Sequence, residues 1–141
     1  KVMANKYSLI SNARIKECHR DLQVVFQAVL RHFDHSIICG HRGEQEQDTA
    51  FESGFSKVKY PNSKHNSYPS VAIDAVPYPI DWKDTKRMTY FAGFVMATAK
   101  QLKDKGLITH DMRWGGDWDR DTEVKDNVFQ DYPHFELVNN K

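Results

Sequence analysis

Apolar residues recur at helical spacing in two long segments of the chain. Positions three and four apart predict amphipathic helices over residues 17–33 and 84–105, and a shorter, more polar helix is expected near residues 44–54. Gly54 and Gly106 stand where the short helix and the second long helix should end, because glycine readily adopts the backbone conformation that stops a helix. The pattern therefore predicts two long helices and one short one.

Four shorter segments combine apolar side chains with flanking glycine, proline or polar residues, which is typical of strands. They are residues 36–40, 71–76, 107–114 and 134–138. Helices and strands are mixed without the regular alternation of a parallel α/β sheet, so we expect an α+β fold with helices packed on a short antiparallel sheet. The polar stretch at 41–70 contains a long loop, and such loops in small domains are usually functional or disordered.

The composition fits one folded domain. The chain has 141 residues, of which 40% are hydrophobic, and no repeat or linker-like tract divides it. The net charge is +1 and basic residues are interspersed with acidic ones, which excludes a dedicated nucleic-acid binder. No apolar run reaches the roughly 18 residues of a membrane span, so no stable membrane insertion is expected.

Two further features bear on the cellular compartment. Residues 1–11 lack the apolar run of a signal peptide, so we expect the protein to fold in the cytoplasm. Cys18 and Cys39 lie in no metal-binding motif. We expect two free thiols, and a single bridge between them stays open as the alternative.

An acidic residue interrupts an apolar predicted strand. Asp74 lies within residues 71–76, and a buried carboxylate is costly unless it pairs with a cation or binds a metal. His65 precedes this strand, and His134 opens the last one. Taken singly, these residues have ordinary explanations as an outward-facing acid, an exposed loop histidine and a core histidine. Together, two histidines and one carboxylate make the ligand set of a catalytic zinc ion, with a fourth position left for water.

Such a centre also needs a general base and a positive group. Asp131, three residues before His134, is a candidate for the base that takes a proton from water. Arg42 follows a predicted buried strand directly and is a candidate to stabilise the developing oxyanion. Spacing alone leaves accidental combinations open, because the chain contains seven histidines.

Four separated segments resemble the motifs of one family in the right order. GHRGEQEQ at 40–47, SKH at 63–65, AID at 72–74 and DYPH at 131–134 are similar to the arginine segment and the Ser-x-His, Ala-x-Asp and acid-x-x-His motifs of the M15 metallopeptidases. This family includes D-alanyl-D-alanine carboxypeptidases, dipeptidases and phage L-alanoyl-D-glutamate endopeptidases. The resemblance covers residues 18–138, nearly the whole chain, and implies the fold shared by hedgehog proteins and DD-peptidases.

The resemblance implies a role for each matched residue. His65, Asp74 and His134 take the zinc-ligand positions. Asp131 takes the position of the general base that later returns the proton to the leaving amine, and Arg42 that of the arginine that polarises the scissile carbonyl. The chain departs from the family pattern in a longer gap between His65 and Asp74, and in an aspartate base where many relatives have glutamate. The extra residues fall in a loop, where insertions are tolerated.

Four further residues are expected to help bind substrate. Gln47 and Ser63 match family positions that shape the site. Trp114 and Trp118 belong to a WGGDW run that the resemblance places beside the site, and the alternative is that they cap the core. The acidic residues within 111–121 do not form an EF-hand calcium loop, so a solvated acidic loop is expected.

The resemblance implies a zinc-dependent peptidase that acts on the stem peptide of peptidoglycan. Residues 1–141 are expected to form one catalytic domain without a separate cell-wall-binding domain, as in a phage endolysin that cleaves the L-alanyl-D-glutamate bond. We expect a monomer that waits in the host cytoplasm until a holin gives it access to the wall in the periplasm, or that is carried in the virion. The alternatives are a D,D-carboxypeptidase or dipeptidase acting on D-Ala-D-Ala termini and a catalytically inactive, zinc-stabilised wall-binding module.

Overall fold

The computed structural model describes residues 4–125 and 129–139 of the chain. These residues form four α-helices, one 3-10 turn and four β-strands. In chain order they are α1 (Leu9–Ile15), α2 (Arg20–Leu30), β1 (His35–Cys39), α3 (Glu44–Glu52), the 3-10 turn (Lys64–Asn66), β2 (Ala72–Pro77), α4 (Thr85–Asp104), β3 (Asp111–Trp114) and β4 (His134–Val138). In this part of the chain, no helix is long and apolar enough to cross a membrane.

The four strands form one antiparallel sheet in the order β1-β2-β4-β3. On the two central strands, Asp74 lies opposite His134 and Ala72 lies opposite Glu136. Arg113 of β3 is the partner of Glu136 on the other side. The combination of helices with an antiparallel sheet confirms the predicted α+β class, and the pairing brings together residues that are far apart in the sequence.

The two faces of the central strands differ in chemistry, because successive side chains of a strand point to opposite sides. Ile73 and Ala75 of β2 join Phe135 and Leu137 of β4 in the hydrophobic core. Helices α2 and α4 also contribute to this core, and Phe26 of α2 meets Phe135 edge to face with ring centroids 5.3 Å apart. The alternate residues of the same strands face away from the helices.

Helix α1 is an element that the hydrophobic pattern does not predict. Only one narrow face of it is buried: Ser11 and Ile15 are shielded from solvent, whereas Leu9 and Ile10 are 89% and 62% exposed. The helix begins after Ser8, whose hydroxyl accepts a hydrogen bond from the Ser11 N–H. Its seven residues give too little periodicity to recognise, and contact with β1 stabilises it.

Two elements begin three or four residues later than predicted. Helix α2 begins at residue 20 rather than 17, because the ring Nδ1 of His19 accepts the Asp21 N–H and caps the helix there. Strand β3 begins at residue 111 rather than 107, because the preceding segment is bound to Asp21 instead. The backbone N–H groups of Thr109 and His110 donate to Asp21 Oδ2 at 3.0 and 3.1 Å. The Asp21 carboxylate therefore holds the connection between α4 and β3 against the start of α2.

Replacing Asp21 with alanine should lower the free energy of unfolding by about 2 kcal/mol, because two backbone N–H groups would lose a buried, charged acceptor. Burial raises the pKa of Asp21, but hydrogen bonds from His110 and Thr109 more than offset this and hold it below its ordinary value. The stabilisation should therefore be complete above the ordinary aspartate pKa and disappear as the pH falls through the lower folded-state pKa. Urea unfolding at several pH values measures both effects.

The exposed Asp48 of α3 provides a matched control for this measurement. Asp48→Ala should change the stability by no more than about 0.5 kcal/mol. Equal stability of the two variants at neutral pH would contradict the role assigned to Asp21.

Candidate active site

The three predicted metal ligands meet on the face of the sheet opposite the hydrophobic core. Asp74 Oδ1 lies 3.2 Å from His65 Nε2 and 3.3 Å from His134 Nδ1. Both histidines are buried, and their ring centroids are 5.2 Å apart. The structure thus gathers side chains from β2, from β4 and from the 3-10 turn around one carboxylate oxygen.

Strand pairing and local capping position these side chains. Asp74 and His134 are direct partners in the register of β2 with β4. His65 lies in the 3-10 turn, where the Ser63 hydroxyl accepts its backbone N–H at 3.1 Å. The carbonyl oxygen of His65 in turn accepts the Arg42 N–H at 2.8 Å. Ser63, which was expected to bind substrate, lines the cleft and also fixes the backbone that carries His65.

The outer ring nitrogen of His65 is bound to a backbone carbonyl. His65 Nδ1 lies 2.7 Å from the carbonyl oxygen of Gly40, so Nδ1 carries the proton of the neutral ring and Nε2 is left to face Asp74. Gly40 must be glycine because a Cβ atom there would clash with the carbonyl oxygen of Arg14 in α1. Close packing of β1 against α1 therefore orients the histidine ring.

The outer ring nitrogen of His134 is bound to a carboxylate. His134 Nε2 lies 2.8 Å from Glu136 Oε1, and Glu136 Oε2 accepts a hydrogen bond from Arg113 Nη2 at 2.6 Å. Such a carboxylate fixes the orientation of a ligand histidine and increases its basicity. Glu136 is absent from the residues that the motifs single out. On the predicted strand, Glu136 lies two residues after His134, and this spacing indicates that both side chains are on the same face of the sheet.

The charges at this centre favour a bound cation. Burial raises the pKa of Asp74, but His65 and His134 hold it well below its ordinary range. Burial lowers the pKa of both histidines, yet Asp74 raises that of His65 to about 10. Hydrogen bonds to Asp74 and Glu136 raise the pKa of His134 to about 9. A divalent cation bound here would take the place of these ring protons.

Two of the three donor pairs have the spacing of a tetrahedral metal site. Metal bonds of about 2.0–2.1 Å place neighbouring tetrahedral ligands about 3.3 Å apart, and the two distances from Asp74 Oδ1 to the histidine nitrogens, 3.2 and 3.3 Å, agree with this spacing. A thiol is also close, since Cys39 Sγ lies 3.7 Å from His65 Nδ1. Cys39, His65 and Asp74 together form a group that could hold a metal ion. Cys39 and Cys18 are both free thiols.

A buried glutamine holds the predicted cation of the site. Arg42 Nη1 donates to Gln47 Oε1 at 3.0 Å, and Arg42 Nη2 lies 3.8 Å from Asp74 Oδ2. The amide nitrogen of Gln47 donates to the Ser56 hydroxyl at 2.8 Å and to the Val58 carbonyl at 2.7 Å. Gln47 was expected among the substrate-binding residues. It is inaccessible to solvent and satisfied by these bonds, so it positions Arg42 instead.

Close approach to a glycine places Asp131 beside the metal centre. The Asp131 N–H donates to the Gly115 carbonyl, and the Gly115 N–H donates to the His134 carbonyl, each at 2.8 Å. A Cβ atom on Gly115 would clash with the Asp131 carbonyl oxygen, so only glycine fits there. Burial raises the pKa of Asp131, and so does the negative charge of Asp74. The neighbouring positive charges, including Arg42, offset this rise only in part.

The two tryptophans of the WGGDW run lie in different environments. Trp118 lines the cleft, with its ring centroid 5.6 Å from that of His134, and it stacks on Phe129 at 6.2 Å. Trp114 is only 5% exposed and belongs to the hydrophobic core, where its indole N–H donates to the Tyr132 carbonyl. Trp114 therefore fits the core-capping alternative and not the substrate-binding one, because alternation along β3 turns it away from the face that carries the metal centre.

A cleft of about 1030 Å³ opens over the centre. Its walls include the three candidate ligands together with Arg42, Asp131, Ser63 and Trp118. The volume is sufficient for a peptide segment of several residues. The cleft therefore contains the candidate metal ligands, the candidate base and the candidate oxyanion-binding cation in one space.

Comparison with known protein families shows where this arrangement belongs. A family model described as phage L-alanyl-D-glutamate peptidase matches residues 3–138, nearly the whole chain. The chain belongs to this family. It matches the crystal structure of the Serratia marcescens L-Ala D-Glu endopeptidase ChiX with a TM-score of 0.72, over 95% of this chain and 91% of that chain, at 23% sequence identity. Comparison with curated protein sequences finds no significant match.

As a phage L-alanyl-D-glutamate peptidase, the protein is an enzyme that acts on the stem peptide of peptidoglycan. The family match confirms the resemblance found in the sequence and the predicted peptidase class, and the ChiX match confirms the fold. The ligand set and the catalytic residues stay predictions, which the geometry of the site supports.

In this phage peptidase, Glu136→Gln should weaken metal binding roughly 10- to 100-fold, because a neutral amide no longer supports the His134 ring and leaves Arg113 without its anion. Titration calorimetry of the metal-free protein with zinc measures the dissociation constant. Glu52→Gln changes an exposed glutamate of α3 and should bind zinc as the unmodified protein does. Unchanged affinity in Glu136→Gln would show that Glu136 does not support His134.

Proposed function

We propose that this L-alanyl-D-glutamate peptidase is a zinc enzyme whose metal is held by His65, Asp74 and His134. The observation that carries the proposal is the position of Asp74 Oδ1, which lies 3.2 Å and 3.3 Å from a ring nitrogen of each histidine. The other ring nitrogens are already occupied by Gly40 and Glu136. A bound zinc ion would supply Lewis-acid polarisation of the scissile carbonyl and would acidify a water molecule.

Asp131 is the proposed general base. Its carboxylate lies in the cleft, close enough to Asp74, Arg42 and the two histidines to respond to their charges. It would take a proton from the attacking water and then give that proton to the amine of the departing D-glutamyl residue. In the metal-free protein, burial and the charge of Asp74 raise the pKa of Asp131, and burial favours the second step, in which the carboxyl group donates a proton.

Arg42 is proposed to bind the carbonyl oxygen of the scissile bond. One guanidinium nitrogen is fixed by Gln47, and another lies 3.8 Å from Asp74. A guanidinium carries five N–H donors, so donors remain for an oxygen that becomes negative as water attacks. Because Gln47 is buried and rigidly held, the cation is already in position before substrate binds.

The alternatives considered from the sequence differ in their products. A D,D-carboxypeptidase would release free D-alanine, whereas an inactive wall-binding module would release nothing. The presence of Asp131 and Arg42 together in the cleft favours an active enzyme. Folding in the host cytoplasm, access through a holin, carriage in the virion and a monomeric state all stay predictions.

Incubation of purified peptidoglycan with the enzyme should produce new N-terminal D-glutamyl residues, detectable by mass spectrometry of the released fragments. A strong chelator should abolish the product, and added zinc should restore it, because the metal is required for attack by water. Release of free D-alanine would favour the carboxypeptidase, and the absence of any chelator-sensitive product from several wall types would favour the binding module.

Asp131→Asn should lower kcat by roughly 10²- to 10⁴-fold while zinc binding is retained, because the base is removed and the proposed ligands are not. Turnover on peptidoglycan fragments and zinc titration of the same preparation measure the two properties. His134→Ala is the contrasting variant, since it should lose zinc and activity together. Full turnover in Asp131→Asn would show that another group is the base.

The activity of the zinc-saturated enzyme should fall on the acidic side as Asp131 becomes protonated. Burial raises the pKa of Asp131 in the metal-free protein, whereas a bound zinc ion would lower it, so the pH at which activity is lost reports the balance of the two effects. The pH profile of kcat measures the pH at which this loss of activity occurs, and Asp131→Glu should change that pH. An identical profile in the Asp131→Glu enzyme would show that a different group causes the loss.

A further inference from the structure

The charged residues that line the cleft are unevenly distributed. Its acids, Asp74, Asp131 and Glu136, all belong to the metal centre or the proposed base. Lys57 and Lys64 also line the cleft, outside that centre. In residues 4–125 and 129–139, neither lysine has a carboxylate within ion-pair distance. As far as the described residues go, both lysines of the cleft can therefore approach a negative group on the substrate.

Lys57 reaches the wall of the cleft that contains the proposed base. Its Nζ lies 5.5 Å from the ring centroid of Phe129, and Phe129 precedes Asp131 by two positions. Phe129 is held against Trp118 by ring stacking and by a 2.9 Å hydrogen bond from the Trp118 indole N–H to the Phe129 carbonyl. The Lys57 ammonium group therefore lies over a ring of the chain segment that leads to Asp131.

The backbone on both sides of Lys57 is anchored to a buried residue. Gln47 donates hydrogen bonds to the Ser56 hydroxyl and to the Val58 carbonyl, the two immediate neighbours of Lys57. The Ser56 N–H also donates to the Ala50 carbonyl at 3.0 Å. The same glutamine fixes Arg42, so the loop that carries Lys57 and the Arg42 side chain share one buried residue.

The chemistry of the cleaved bond requires a negative group on this side of the site. Asp131 returns a proton to the leaving amine in the proposed reaction, so the D-glutamyl residue that carries this amine lies next to Asp131. A glutamyl residue has two carboxyl groups and uses one of them to continue the peptide, so the other remains a free carboxylate near neutral pH. Recognition of this carboxylate calls for a cation beside Asp131.

We propose that Lys57 binds the free carboxylate of the D-glutamyl residue and so sets the preference of the enzyme for that residue after the scissile bond. The proposal rests on the proposed function and assigns the side chain that recognises the leaving part of the substrate. Lys57 acts on substrate binding and takes no part in proton transfer. Its removal changes KM far more than kcat.

The test uses two soluble peptidoglycan fragments that differ only in whether this carboxyl group is a free carboxylate or a primary amide. The unmodified, zinc-loaded enzyme should show a kcat/KM roughly tenfold higher for the carboxylate, with most of the difference in KM. Lys57→Met should abolish this preference, and Lys57→Arg should keep most of it. Higher salt should reduce the preference of the unmodified enzyme, because the charges are exposed.

Lys59 provides the matched control. It lies in the same loop, and its Nζ is 5.1 Å from the ring centroid of Phe51, but it does not line the cleft. Lys59→Met should therefore keep the full preference for the carboxylate. A merely structural effect of losing a lysine from this loop would lower the rates for both fragments equally.

The outcomes separate this proposal from the proposed function. Cleavage of neither fragment by the unmodified enzyme would overturn the function and this proposal with it. Equal cleavage of both fragments would overturn the role of Lys57 and leave the function intact. A preference that persists in Lys57→Met would also overturn the role of Lys57 and leave the function intact, and it would point to Lys64, the other lysine that lines the cleft.

Discussion

A half-buried carboxylate within a sheet needs positive charge around it, and Asp74 obtains this from His65, His134 and Arg42. Each of these three groups is held in turn by a buried or backbone acceptor. The carbonyl oxygen of Gly40 orients the first histidine, Glu136 orients the second, and Gln47 holds the arginine. The geometry of the whole centre therefore depends on the positive groups that offset the negative charge of Asp74. Without them, this charge would be costly to place within the strand.

Gln47 shows how a residue without chemistry of its own can organise a site. Its carbonyl oxygen accepts hydrogen bonds from Arg42 and from the Asn66 side chain, which ties α3 to the turn carrying His65. Its amide nitrogen binds both sides of residue 57. All four hydrogen-bonding positions of the amide are used, so the group is buried without penalty. Gln47 therefore holds Arg42, the turn that carries His65 and the loop that carries Lys57.

The sequence alone predicts the parts of the structure that depend on local residue patterns. The strand at 134–138 agrees in both bounds, and the Ser-x-His, Ala-x-Asp and acid-x-x-His motifs lead to residues that meet in space. Properties set by strand register and tertiary packing could not be predicted in the same way. The core position of Trp114, the burial of Gln47 and the support of His134 by Glu136 all depend on which neighbour lies across the sheet or behind the loop.

The loop between His65 and β2 is fixed at both ends. At one end Ser63 and Gly40 hold the histidine, and at the other the Ser70 backbone exchanges hydrogen bonds with Glu17 and His19. Residues between these points can change in number without moving a ligand, which accounts for the longer gap in this chain. An insertion inside β2 or β4 would instead exchange the ligand face with the core face. Evolution can therefore vary the rim of the cleft freely, while the two central strands are constrained residue by residue.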